Sequence, residues 1–96
     1  SERSAVQQSA IVEVTAHPNP YTDKVVFTIK SQVSGIASFE LVGLLGEKVT
    51  TLYQGHIEKD AVKTLIYNAP ATDRKTLVYK LRVGKEQVTG KVIYPN

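Results

Sequence analysis

The chain contains no cysteine among its 96 residues. Thiol catalysis, redox switching and cysteine-based zinc sites are therefore excluded. Small secreted domains often use disulfides to compensate for a thin hydrophobic core, so this domain must rely on packing alone. The absence of cysteine suits an exported protein that must avoid wrong disulfides, although many cytosolic domains share it.

Long hydrophobic runs are also absent. No apolar stretch approaches the roughly 20 residues that a membrane-spanning helix needs, and the chain shows no signal peptide. The first ten residues, SERSAVQQSA, are polar and lack periodicity, so residues 1–10 are predicted to be a flexible linker. We expect one folded domain over residues 11–96, derived from a longer precursor.

What the chain does contain is a series of short runs rich in β-branched and aromatic residues, separated by turn-forming residues. No helix of useful length is indicated. The sequence therefore predicts an all-β fold, an Ig-like antiparallel β-sandwich of about seven strands. The predicted strands cover residues 11–16, 24–30, 36–42, 48–54, 61–67, 76–83 and 86–94, and the predicted turns include Gln54-Gly55 and Gly84-Lys85.

Two prolines around one asparagine mark the first corner of this fold. Pro18 and Pro20 fix two φ angles, remove two backbone donors and favour extended conformations in the residues before them. A helix cannot start there and a central strand cannot continue. We therefore expect the chain to turn there from its first strand into its second.

The last two predicted strands fit one hairpin register. A two-residue turn at residues 84–85, of type II′, places Tyr79 opposite Gly90, where the ring would cover the bare glycine backbone. The same register matches Leu77 with Val92. Period-two alternation in this and the other strands assigns a second set of side chains to the core: Val25, Phe27, Ile29, Ala37, Phe39, Leu41, Leu81 and Val83.

Residues that could catalyse a reaction or bind a metal are few and scattered. His17 and His56 have no carboxylate or second histidine at a zinc-ligand spacing. The aspartates form no Asp-rich loop of the kind that binds calcium, and no serine lies in a Gly-x-Ser-x-Gly motif. We therefore predict no metal site, no cofactor and no enzymatic activity.

The net charge of +3 is concentrated near the end of the chain. Residues 75–96 contain five basic side chains and a single acidic one, Glu86, whereas residues 1–74 contain seven basic and eight acidic side chains. A basic final hairpin could attract an acidic partner, an anionic glycolipid or nucleic acid. The simpler interpretation is a solvated sheet face whose lysines protect an edge.

Four segments occur in a recognisable order. They are a Pro-Asn-Pro-aromatic corner at residues 18–21, a tight turn ending at Gly46 before a valine-bearing strand, a Val-Tyr pair at residues 78–79, and a final Gly-Lys-aliphatic strand at residues 90–93. Together they resemble the type A C-terminal sorting domain of proteins exported by the type IX secretion system of Bacteroidetes, over about residues 14–94. Two positions differ: the family usually has aspartate where this chain has Gly43, and glycine where it has Leu77. Leu77 predicts a regular strand in place of a bulge.

The resemblance implies a delivery function. Such domains follow a catalytic or adhesive cargo domain in a precursor, pass through the periplasm and are recognised by an outer-membrane translocon. A surface sortase typically cleaves the linker before the domain, which here would be residues 1–10, and the cargo ends at the cell surface or outside the cell. By position, the residues for translocon recognition are Gly90, Lys91, Val92 and Ile93. The scaffold residues are Pro18, Asn19, Pro20, Gly46 and Tyr79.

The final strand offers a physical route to such recognition. A strand with an unpaired edge can be bound by addition to a partner sheet, in which the backbone provides affinity and alternate side chains provide specificity. Two other functions remain open. One is an Ig-like or fibronectin-like accessory module that binds sugar or cell-wall polymer through Tyr21 and Tyr94, both predicted to be exposed. The other is a nucleic-acid binder, which rests only on the charge of the last hairpin and which we do not expect.

Overall fold

The structure is a computed structural model that describes residues 11–95. Its strands are β1 (Val12–His17), β2 (Lys24–Ser31), β3 (Gly35–Gly43), β4 (Lys48–Ile57), β5 (Val62–Asn68), β6 (Leu77–Val83) and β7 (Glu86–Val92). The described residues contain no helix, so the prediction of an all-β chain is confirmed. The predicted linker, residues 1–10, lies outside the described residues and stays a prediction.

The strands form two antiparallel sheets. One sheet has the order β1-β2-β5 and the other has the order β4-β3-β6-β7. In a constant-type immunoglobulin domain the fourth strand pairs with the fifth, whereas here β4 pairs with β3. The predicted seven-stranded β-sandwich is confirmed. It differs from the constant-type immunoglobulin domain in one strand, because β4 belongs to the sheet of β3 and not to the sheet of β5.

The core lies between the inner faces of the two sheets. At its centre the rings of Phe27, Phe39 and Tyr79 pack together, with centroid distances of 4.7 to 5.8 Å. The predicted assignment of faces is confirmed, because every side chain assigned to the core is buried. The other large side chains that are fully buried are Tyr21, Val25, Ile29, Leu41, Leu77, Leu81, Val12, Val83, Val88 and Val92.

The β6–β7 hairpin has the predicted register. Tyr79 lies opposite Gly90, and Leu77 lies opposite Val92 at the other end of the ladder. Gly84 has a φ of 57°, the positive φ that a type II′ turn requires at its first central residue. No register shift interrupts the pairing of β6 with β3 or β7, so the strand is regular at Leu77, as predicted.

The predicted turn at Gln54-Gly55 is wrong. β4 continues to Ile57, and Gly55 lies opposite Ala37 of β3. The β3–β4 ladder is shifted at two places, which leaves Val49 and Leu52 as extra residues on β4. The sequence predicts an end at Gln54 because Gln54-Gly55 is typical of a turn, whereas Gly55 stays in the ladder with β3.

The first corner is where the prolines predict it. β1 ends at His17, and the chain reaches β2 through residues 18–23. The His17-Pro18 and Asn19-Pro20 peptide bonds are both cis.

Candidate functional site

The segments that carry the resemblance meet at one end of the sandwich. Antiparallel pairing brings together the β1–β2 turn, the β3–β4 turn, the β5–β6 connection and the chain after β7. We call this the terminal end; it comprises residues 18–23, 43–47, 69–76 and 93–95. Ile11 lies at the opposite end, where its carbonyl oxygen accepts a hydrogen bond from the Gln32 N–H at 3.0 Å.

Asn19 joins the first corner to the last strand. Its Nδ2 donates to the carbonyl oxygen of Lys91 at 3.0 Å, and its Oδ1 accepts from the N–H of Ile93 at 2.8 Å. The N–H of Tyr21 donates to the carbonyl oxygen of Ile93 at 2.9 Å. The Asn19 carboxamide therefore supplies one donor and one acceptor, as the backbone of a neighbouring strand would.

Tyr21 contradicts the expectation that it is exposed, because 0% of its surface is accessible. Its hydroxyl donates to the carbonyl oxygen of Lys75 and accepts from the Lys75 N–H at 3.2 Å. Its ring centroid lies 5.4 Å from that of the half-buried Tyr94. Burial raises the pKa of the Tyr21 hydroxyl. Tyr21 therefore belongs to the core of the terminal end and cannot present a surface to a sugar.

Lys75 also connects to the β3–β4 turn. Its Nζ lies 3.2 Å from Oε2 of Glu47 and 3.8 Å from Oδ1 of Asp73. Hydrogen bonds from the backbone amide of Glu47 and from the Lys75 ammonium lower the pKa of the Glu47 carboxyl group. The hydrogen bond to Glu47 raises the pKa of Lys75 in turn. These side chains are exposed, so the pair positions the connection without adding much stability.

The β3–β4 turn depends on Gly46, whose φ of 89° is in the left-handed region that favours glycine. The Gly46 N–H donates to the carbonyl oxygen of Gly43 at 3.0 Å, and the Gly43 N–H donates to that of Glu47 at 2.8 Å. This is the pattern of a turn closed by a glycine bulge. The Glu47 carboxylate fills the space that a side chain at Gly43 would occupy.

Tyr79 lies directly over Gly90. A Cβ atom added at Gly90 would overlap the phenol ring. Glycine is therefore needed here because there is no room for a side chain, and not because of a positive φ. Burial raises the pKa of the Tyr79 hydroxyl. The predicted cover of a bare glycine by an aromatic ring is therefore confirmed.

The four residues predicted for translocon recognition divide into two pairs. Gly90 and Val92 are buried against the core, whereas Lys91 and Ile93 are exposed, with 41% of Ile93 accessible. Among residues 11–95, β7 is the last strand of its sheet and pairs only with β6. Its outer edge is nevertheless occupied at Lys91 and Ile93 by the groups of Asn19 and Tyr21 described above.

The basic residues of the last hairpin lie outside the ion-pair network. None of the ion pairs between described residues includes Lys80, Arg82, Lys85 or Lys91, and all four side chains are exposed. Lys75, in contrast, has its charge opposed by two carboxylates. Exposed cations outside the described ion pairs therefore occur on β6, β7 and the turn between them, and also at Lys24, Lys30 and Lys59.

Two contributors to the terminal end were not predicted, namely Lys75 and Glu47. In the sequence Lys75 belongs only to the basic segment, because nothing local indicates that its backbone contacts Tyr21. A weak signal did exist for Glu47, since a carboxylate directly after a turn glycine can accept hydrogen bonds from the turn amides.

Within residues 11–95, no group of three or more histidine, aspartate or glutamate residues could hold a metal ion. The same residues contain no helix that could cross a membrane. The arrangement at the terminal end is therefore one of backbone pairing, packed tyrosines and exposed side chains. No protein-family model, curated protein or solved structure matched this chain.

Proposed function

We propose that this chain is a sorting domain that directs a cargo protein, fused before it, across the outer membrane through the type IX secretion system. One observation carries the proposal: Asn19 of the Pro-Asn-Pro corner holds the backbone of Lys91 and Ile93. The corner and the final strand are two of the segments that carry the resemblance, and they lie near opposite ends of the domain's sequence. Their hydrogen bonding makes them one unit, so the corner determines how the final strand is presented.

The placement of the two ends of the described chain suits this role. A cargo domain joined before Ile11 would attach at the end opposite Ile93. The terminal end would then stay accessible to the translocon while the cargo is attached.

The exposed side chains at the terminal end suit recognition by a protein. Leu44 and Leu45 at the tip of the β3–β4 turn are 61% and 96% accessible, and Ile93 is also exposed. Exposed apolar side chains of this size are available for contact with a protein partner. We propose that Lys91 and Ile93 are read by the translocon, while Gly90 and Val92 support them from the core side.

The accessory sugar-binding function loses its main support. It required two exposed tyrosines, and Tyr21 is fully buried. Its ring packs against Tyr94, so the two form an internal contact in place of an open platform. We therefore prefer a non-enzymatic export signal, with passage through the periplasm and delivery to the cell surface or medium.

The proposal is tested by export of a reporter. A monomeric reporter with a signal peptide and residues 1–96 at its C-terminus is expressed in a host with the type IX system and in a translocon mutant of that host. We expect the reporter at the surface or in the medium of the first strain and in the periplasm of the second. Periplasmic retention in both strains would overturn the proposal.

Substitutions locate the signal within the domain. Ile93→Ala is expected to lower export at least fivefold, because its side chain is the exposed aliphatic group at the end of the final strand. Ile66→Ala is the matched control: Ile66 is similarly exposed, on the outer face of the other sheet. Equal export of the two variants would show that the final strand is not read, even if the whole domain is an export signal.

A further inference from the structure

The free part of the β7 edge can be located residue by residue. In a two-residue hairpin the closing pair exchanges both backbone hydrogen bonds, and such pairs then alternate along the ladder. Val83 and Glu86 close the turn, so Val88, Gly90 and Val92 also direct their backbone groups to β6. The backbone groups of the residues between them point away from the sheet.

The hydrogen bonds at the terminal end support this assignment. Lys91 and Ile93 use their outward groups to bind Asn19 and Tyr21, not β6. No described strand pairs with the outward groups of Gln87 and Thr89. The free edge therefore runs from Gln87 to the N–H of Lys91, and the Asn19 carboxamide closes it at one end.

The outer edges of β4 and β7 differ in regularity and not in openness, because β5 lies near β4 as β1 lies near β7. β4 carries two register shifts, which interrupt the regular spacing that an added strand needs. Where β4 lies near β5, the Lys63 ammonium covers the ring of Tyr53, with Nζ 4.3 Å from the ring centroid. The Gln87–Lys91 edge is regular by comparison, because the β6–β7 ladder has no shift.

The two faces beside this edge differ in chemistry. On the outer face, Lys80 lies opposite Thr89 and Arg82 lies opposite Gln87. Two cations that form no ion pair with another described residue therefore lie beside the edge. On the inner face, Val88 and Val92 are buried. A strand added to the edge would place every second side chain next to the cations and the side chains between them next to the apolar core.

We propose that the Gln87–Lys91 edge binds an extended partner segment in which carboxylate and aliphatic side chains alternate. This rests on the proposed function, in that the segment would belong to the export machinery. A second copy of this chain is a poor occupant, because pairing β7 with itself would bring the cations of two hairpins together. The carboxylates of the partner meet Lys80, Arg82 and Lys91, and its aliphatic side chains lie on the inner side of the edge, beside the buried Val88 and Val92.

The test uses a short acetylated peptide in which glutamate and valine alternate, titrated into the isotope-labelled 96-residue chain and followed by NMR. The amide signals of Gln87, Thr89 and Lys91 are expected to shift and to become protected from hydrogen exchange. A peptide with lysine in place of glutamate is expected to bind at least about fivefold more weakly, because about two exposed ion pairs are lost. Unchanged amide signals at millimolar peptide would overturn the proposal.

One pair of variants separates backbone pairing from side-chain contact. Thr89→Pro removes an outward N–H without removing a bond to β6, and proline is tolerated on edge strands in such positions. It is expected to abolish peptide binding, whereas Thr89→Val keeps the N–H and is expected to bind as the parent chain does. Equal binding by both variants would show that the peptide does not add to this edge.

Charge reversal gives a test that does not depend on the proline. Lys80→Glu with Arg82→Glu is expected to reverse the order of the two peptides, because both positions lie on the solvent face and outside the core. An unchanged order would contradict the proposed partner chemistry.

The reporter assay keeps this inference distinct from the proposed function. Export of the parent domain with normal export of folded Thr89→Pro would leave the sorting function in place and overturn the role of the edge. No export of the parent domain would overturn the sorting function, whatever the peptide does.

Discussion

The hydroxyl of Tyr21 offers a direct test of how the terminal end is held together. Tyr21→Phe keeps the buried ring and removes the oxygen that bonds both backbone groups of Lys75. Each hydrogen bond contributes about 1 kcal/mol, and a backbone group left without a partner away from water costs somewhat more. The free energy of unfolding should therefore fall by about 2 kcal/mol, a large part of the roughly 5–10 kcal/mol that a domain of this size has.

Urea denaturation of the 96-residue chain, followed by circular dichroism, measures this change. With a slope of about 1 kcal/mol per molar urea for a small domain, the midpoint should drop by about 2 M. The slope itself should not change, because the substitution leaves the buried area almost the same.

Tyr94→Phe is the matched control. Tyr94 packs against Tyr21, but within residues 11–95 its hydroxyl makes no hydrogen bond. Its removal should change the free energy of unfolding by less than about 0.5 kcal/mol, as for an ordinary surface substitution. If Tyr21→Phe and Tyr94→Phe have the same midpoint, water satisfies the Lys75 backbone in the variant, and the reasoning about the β5–β6 connection fails.

Three further predictions concern packing and pH. Gly90→Ala should lower the free energy of unfolding by about 1–3 kcal/mol, because the added methyl group overlaps the Tyr79 ring. In a Tyr79→Ala background the same substitution should lower it by less than about 1 kcal/mol, and a double variant whose urea midpoint is the sum of the two single effects would refute the overlap. Burial raises the pKa of Tyr21 and of Tyr79, so their contribution to stability is complete below the unfolded pKa of about 10 and is lost as pH rises beyond it. The urea midpoint should therefore fall above about pH 10, less steeply in Tyr79→Phe, and a parallel fall in both proteins would argue against this assignment. The pKa of Glu47 is lowered, so its contribution to stability is present above the ordinary pKa of 4.5 and is lost as pH falls through the folded pKa. In Glu47→Gln the melting temperature should therefore fall less steeply with decreasing pH than in the parent chain. The same slope in both proteins would contradict this assignment.

The β6–β7 hairpin shows what makes a fold readable from sequence. Its register satisfies two conditions at once, since apolar residues match across the strands and Tyr79 meets Gly90. Both conditions are local, because the partners lie within one hairpin. The alternation in β2 and β3 is equally local, and their buried faces are also correctly predicted.

The errors arose where the partner of a residue is distant in sequence. Tyr21 follows a turn and lies outside any alternating strand, and its burial depends on Lys75, 54 residues away. The hydrogen bonds of Asn19 reach 72 and 74 residues along the chain. The predicted end of β4 is wrong because the glycine in Gln54-Gly55 is typical of a turn, whereas Gly55 pairs with Ala37 and the strand continues.

The space above Gly43 is shared by two positions of the chain. Because the Glu47 carboxylate already occupies it, an aspartate at position 43 would displace that group and place two negative charges in contact. Substitutions at these positions are therefore coupled, so that Gly43→Asp is tolerated with a short neutral residue at position 47 and disfavoured with glutamate. In this chain the acid that occupies this space comes from position 47 and not from position 43, so the two positions have to be considered as a pair.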